Sequence, residues 1–262
     1  MDLKVYGHKE GIEFSGLMPK VAEKIGSIGG SDVSVHLHGF MAKGNDSLEV
    51  VDMSNVWGSS NEDNIVSEPD FSNDEIILGS DYSPAETIVL ESGSKTISLN
   101  GKSMNAPTFV DDSDNSTNSI GLWVKGGDIT IEGEGEIVAQ DAMYSMAVWA
   151  NGGTVTINGG TFRNGGDSCD LIYASNGGKV YIYGGEFIAN GPASGTEPGT
   201  KNPYVALNVK DKDRDKSEIK VYGGRFFKFN PADNVSEGEC TNFVAEGYKS
   251  VQDGDWWEVI AE

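Results

Sequence analysis

A twelve-residue phrase occurs twice in this chain at an offset of 25 residues, NGGTVTINGGTF from Asn151 to Phe162 and NGGKVYIYGGEF from Asn176 to Phe187. Related phrases flank the pair: GGDITIEGEGEI from Gly126 to Ile137, and SEIKVYGGRF from Ser217 to Phe226. Ile129, Val155, Val180 and Ile219 then align, as do Ile131, Ile157, Ile182 and Val221, at spacings of 26, 25 and 39 residues. Self-similarity at a period of about 20–50 residues belongs to solenoids, propellers and arrays, whose units cannot bury an apolar face alone.

Inside each unit the apolar period is two. Val155 and Ile157 share one face while Thr154, Thr156 and Asn158 take the other, as a half-buried strand requires. A second strand precedes this one in every unit: IGLWVK, MAVWAN, LIYASN and YVALNV. A third follows the second glycine pair in TFRN, EFIAN and RFFKF, and the glycine pairs mark corners where positive φ is expected. Three strands and three corners in about 25 residues predict one coil of a parallel β-helix, since a propeller blade needs about 40–45. Thr87 to Met104 reads as a first coil, with Ile97 and Leu99 in the slots of Ile129 and Ile131. Asn242 to Ile260 reads as a closing coil whose end Trp256 and Trp257 cover.

Composition agrees with a thin core and many turns: 35 glycines in 262 residues, with 37% hydrophobic content. The formal net charge of −22 repels phosphate backbones and anionic lipid, so neither nucleic acid nor membrane is an expected partner. No apolar run approaches the roughly 20 residues of a spanning helix. The opening MDLKVYGHKEG carries no readable secretory signal. Cys169 and Cys240 form no framework, which points to synthesis in a reducing cytoplasm.

Residues 1 to about 80 do not follow the period. SGLMPKVAEKIGSIGG predicts a short helix, with Pro19 near its start and Leu17, Val21 and Ile25 on one face. DVSVHLHGF then alternates as a strand. From Gly44 to Ser94 there is no lysine or arginine but twelve carboxylates, the pattern of a solvated linker or of an arm that orders on a partner. The expected division is therefore 1–80, a small mixed N-terminal module with an acidic connector, and 81–262, the repeat domain.

The phrases GGTVTINGGTF and GGKVYIYGGEF resemble right-handed parallel β-helices of the pectate-lyase-like class. More narrowly, YVALNVKD, KVYGGRFFKFNPADN and TNFVAEGYKSV resemble fibre proteins of tailed-bacteriophage virions, particularly head fibres. The resemblance covers about residues 85–262. It implies an all-β chain, a right-handed parallel β-helix of about six coils, with a structural or adhesive role.

Several constellations compete for chemistry. His36 and His38 share a strand face, as metal ligands can, but a polar face explains them as well. DKDRDK at Asp211–Lys216 has Lys216 and Tyr222 where a calcium loop needs glycine and glutamate, and reads as part of a solvated insertion. DDSDNSTN at Asp111–Asn118 lacks the same landmarks. Asp141 and Asp167 sit 26 residues apart, a spacing that could place an acid pair on neighbouring coils, but no arginine or histidine recurs beside them. The outward aromatics are more informative. Trp123 and Trp149 share one slot, Tyr183 and Tyr222 another, with Tyr181 beside them; such rings hold sugars or bury against another protomer.

The expectation is therefore a non-enzymatic fibre or capsid-decoration protein of a bacteriophage virion, without metal or cofactor, assembled in the host cytoplasm. It would be a homotrimer, attached to capsid or neck proteins through its N-terminal module, and open to cell-surface glycan. The alternative is a polysaccharide lyase, glycosidase or bacterial adhesin on the same scaffold.

Overall fold

A computed structural model describes residues 68–165, 170–189, 205–238 and 240–262, together with four short strands upstream. The chain divides into two compact units, Met1–Val66 and Ser67–Glu262. In the first, β1 (Lys4–His8) pairs antiparallel with β2 (Gly11–Ser15), and β3 (Gly39–Lys43) pairs antiparallel with β4 (Ser47–Val51). The helix expected around Leu17–Ile25 lies outside the described residues, as do His36 and His38.

The second unit is built from three mostly parallel sheets. Sheet I holds β6 (Ile88–Leu90), β10 (Ser116–Val124), β13 (Tyr144–Asn151), β16 (Ile172–Ser175) and β19 (Leu207–Val209), side by side in that order. Sheet II holds β5 (Glu75–Ile77), β7 (Ser94–Ser98), β11 (Asp128–Glu132), β14 (Thr154–Ile157), β17 (Lys179–Ile182) and β20 (Glu218–Val221). Sheet III holds β8 (Lys102–Asn105), β12 (Gly135–Asp141), β15 (Thr161–Gly165), β18 (Glu186–Ile188) and β21 (Arg225–Phe227). From β6 to β21 the chain visits sheets I, II and III in rotation, an order compatible with a β-helix. One strand interrupts the rotation: β9 (Thr108–Asp111) folds back antiparallel on β10.

Register follows the repeat. Val155 lies between Ile129 and Val180, and Ile157 between Ile131 and Ile182, all buried. On sheet III, Phe162, Phe187 and Phe226 form an inner column with ring centroids 5.1 and 4.7 Å apart and planes within 6° and 12° of parallel. Inward side chains of all three sheets join one apolar core. Each large one contributes about 1.5–3 kcal/mol of burial.

The glycine pairs divide their labour. At the corner from sheet II to sheet III, Gly160, Gly185 and Gly224 have φ of 94°, 105° and 98°, which other residues reach only at cost. Their partners Gly184 and Gly223 are not left-handed. They lack room, since a Cβ there would stand 2.6 Å from the Asn158 carbonyl oxygen or 2.3 Å from that of Tyr183. At the corner from sheet III to sheet I, hydroxyl and amide side chains hold the backbone. There Ser119 Oγ donates to the Pro107 carbonyl (2.9 Å) and accepts the Gln140 N–H (2.8 Å). Ser145 Oγ donates to the Gln140 carbonyl (2.8 Å), and Asn164 Nδ2 to the Ser145 carbonyl (2.9 Å).

Several expectations need correction. The first round begins at β5, not at Thr87, because Ile76 and Leu78 bury in the core; the units accordingly divide at Val66/Ser67, not 80/81. The described part of the acidic stretch is thus structured: Asp70 Oδ1 accepts the Ser72 N–H (2.9 Å), and Asp81 Oδ1 that of Ser103 (2.9 Å). In β7, Ile97 pairs with Ile131, and Lys95 takes the Ile129 slot. A two-residue slip keeps the same face inward. Lys95 is tolerated because its Nζ reaches the carbonyls of Ser72 (3.0 Å) and Asn73 (2.8 Å).

The closing coil is an antiparallel hairpin, β22 (Tyr248–Asp253) and β23 (Trp256–Ala261), with β23 also antiparallel to β21. Trp257 packs against the core, while Trp256 meets Phe227 edge-on at 5.3 Å. Finally, DKDRDK is not wholly solvated. Asp213 is buried, accepts the Asn176 N–H at 2.7 Å and pairs with Lys216 Nζ at 3.0 Å. Nearby, the Val209 N–H at the last strand of sheet I donates to the Glu237 carboxylate, which also pairs with Arg214.

Candidate functional site

Four of the five aromatic candidates stand in two separate columns, while Tyr181 occupies its own slot between Thr156 and Lys220. On sheet I, Val89, Trp123, Trp149, Tyr173 and Asn208 occupy one outward slot in consecutive strands. Trp123 and Trp149 stack at 4.6 Å with planes 6° apart, and Tyr173 tilts against Trp149 at 6.0 Å. On Trp123, Lys125 Nζ stands 4.3 Å over the ring while also reaching Glu91 at 3.9 Å in the preceding round. Trp149 Nε1 donates to Ser175 Oγ at 2.8 Å, which fixes the ring. Both tryptophans are half-buried, their faces covered by neighbours in the column. What remains outward is ring edge.

Tyr173 extends this column, a residue the sequence reading passed over although LIYASN carries it in the tryptophan slot. Burial first, then the charges of Asp170, Asp213, Glu237 and Asp211, push its phenol well above the usual range. Burial likewise raises the Asp170 carboxyl, while a 2.7 Å hydrogen bond from Asn208 Nδ2 opposes the shift.

The second column stands at the corner after sheet II. Tyr183 and Tyr222 stack at 4.7 Å with planes 10° apart, and Tyr222 meets Tyr248 edge-on at 5.4 Å. Tyr183 is 51% exposed. Tyr181, on β17, donates its hydroxyl to Glu218 Oε1 at 2.7 Å. That bond is the main reason its phenol is pushed up to about 12. The same bond, ahead of Lys220 and Lys179, holds the Glu218 carboxyl below the usual range.

The acidic candidates have structural work. Asp111 Oδ1 accepts the Ser113 N–H (2.9 Å) and hydroxyl (2.6 Å), and Asp114 Oδ1 the Ser116 N–H (2.9 Å), closing the β9–β10 hairpin. Asp141 is exposed at the end of β12 opposite Gly165, while Asp167 and Cys169 lie outside the described residues. Among the described residues no group of three or more His, Cys, Asp or Glu side chains is placed to hold a metal, and no helix is long and apolar enough to cross a membrane. Cys240 is free and exposed.

No family model, no curated protein and no solved structure matches the chain. The class of the molecule rests on its own geometry: an all-β protein of mostly parallel sheets with ordered aromatic columns on its outer surface.

Proposed function

We propose that the three sheets close into a right-handed parallel β-helix, and that the protein is a non-enzymatic fibre or capsid-decoration protein of a bacteriophage virion. It is assembled in the host cytoplasm as a homotrimer, and residues 1–66 dock on capsid or neck proteins. The observation that carries this reading is the tryptophan column. Two indole rings locked at 4.6 Å, with neighbours over their faces, present a flat and rigid stripe of ring edges. Such a stripe suits burial against a protein surface, where tryptophan and tyrosine concentrate. Further support comes from the acids already engaged in turns and corners, as Asp111, Asp114 and Asp213 are. The phrase-level resemblance to phage head fibres supplies the virion assignment.

The test is a Trp123→Ser/Trp149→Ser double variant in sedimentation, paired with gold-labelled antibody on intact particles. The expected result is a lighter species with unchanged far-ultraviolet circular dichroism, and label on the outside of wild-type particles. An unaltered oligomer defeats the interface reading. Particles without label defeat the virion reading.

A further inference from the structure

We propose that the outward face of Tyr183 is a shelf for a neutral pyranose ring, one that presents a patch of axial C–H bonds. The two aromatic columns differ in how they end. Trp123 ends its column under the Lys125 ammonium, 4.3 Å from the ring centroid. Tyr183 ends its column with no ring beyond it. Tyr222 covers one of its faces at 4.7 Å, and a side chain still 51% exposed is what one open face leaves.

The neighbours on the open side are known from the backbone. The Tyr183 N–H donates to the Ile157 carbonyl at 2.8 Å, and the Asn158 N–H to the Ile131 carbonyl at 2.8 Å. The slot therefore runs Glu132, Asn158, Tyr183, Tyr222 in steps of about 4.8 Å. Glu132 and Asn158 are both exposed. Asparagine is much shorter than tyrosine, so the outer part of the Tyr183 ring overhangs it. A sugar ring stacked there takes the position a third aromatic ring would have held. Its equatorial hydroxyls then face an amide, which donates and accepts, and one rung further a carboxylate, which accepts.

The chemistry of the surroundings selects the class. A net charge of −22 and Glu132 beside the shelf oppose anionic saccharides. An aromatic face with amide and carboxylate partners is suited to a neutral hexose in which C–H bonds line one side and hydroxyls the rim. One stacked ring and two polar partners place single-site affinity in the weak range, so strong attachment would come from several copies acting together. This inference does not rest on the virion reading.

The experiment is saturation-transfer NMR on the full chain, with methyl β-D-glucopyranoside, methyl β-D-galactopyranoside and cellotetraose as probes. At least one probe is expected to receive saturation, strongest at the protons of its C–H face. Tyr183→Ala should lower that signal about tenfold, the loss typical of one stacking contact. Tyr183→Leu, which keeps an apolar side chain without a ring face, should lose it as well and serves if the alanine variant misfolds. Absence of transfer to all three probes, or a signal unchanged by both Tyr183 variants, overturns the proposal; neither outcome bears on particle labelling.

Discussion

Two aromatic columns in this protein share a geometry and differ in everything around it. Inside sheet III, Phe187 and Phe226 stack at 4.7 Å with planes 12° apart; outside, Tyr183 and Tyr222 stack at 4.7 Å with planes 10° apart. The stacking is a property of register, because any slot that repeats an aromatic residue in consecutive parallel strands brings the rings together. Energy and function are properties of the surroundings. The phenylalanines are fully buried and hold rounds together, whereas Tyr183 is half exposed and free to meet something else. A repeated ring in a sequence is therefore evidence of register before it is evidence of a site.

The comparison is open to breakage at its strong end first. Phe187→Ala removes the middle ring of the inner column and should cost about 3–5 kcal/mol, read from chemical denaturation of the second unit. Tyr222→Ala removes the equivalent outer contact and should cost about 0.5–1.5 kcal/mol, the worth of an aromatic pair beyond its buried area. Equal costs would show that the outer column is as structural as the inner one.

The smallest effect concerns Tyr181 and Glu218. The Glu218 carboxyl is held below its usual 4.5, so its share of stability is complete above that value and fades as pH falls through the folded value. The Tyr181 phenol is raised from 10 to about 12, so its share is complete below pH 10 and fades as pH rises through about 12. Tyr181→Phe should thus lower Tm by a constant amount near neutrality, with the gap narrowing at both extremes. Glu218 is more than a third exposed, so the gap should be modest and shrink with salt. A gap independent of pH would disprove the coupling.

How much of this was legible varied with how strictly the chain repeats itself. From Gly126 to Phe226 the alternation of Ile129 and Ile131, or Val155 and Ile157, specified strands, face and register together. The corner glycines were legible as corners. That only one of each pair at the second corner serves positive φ, while Gly184 and Gly223 yield space to a neighbouring carbonyl, depends on the adjacent round and has no local signal.

The ends were harder. β5 has just Ile76 turned inward, in a run of carboxylates that reads as solvent-exposed until β7 lies beside it. Lys95 occupies an apolar slot because carbonyls from Ser72 and Asn73 happen to receive it, a contact more than twenty residues away. The C-terminal tryptophans announced a cover but not its direction, since antiparallel and parallel strands carry the same alternation. The candidate site was half legible: the shared slots identified both columns, but which ring keeps a free face depends on Lys125 and Asn158.

The Glu237 carboxylate that receives the Val209 N–H has a consequence for how copies behave in company. A final parallel strand displays donors and acceptors that invite another strand, and repeats of this kind could add one another without limit. Here sheet I ends on that side chain, and sheet II ends where the Phe243 carbonyl accepts the Val221 N–H (2.9 Å) and the Val221 carbonyl accepts the Ala245 N–H (2.9 Å). Sheet III ends in β22, a strand that carries Lys249 and Asp253. A second copy arriving at that end therefore meets backbone groups the chain has already engaged, which opposes end-to-end addition there.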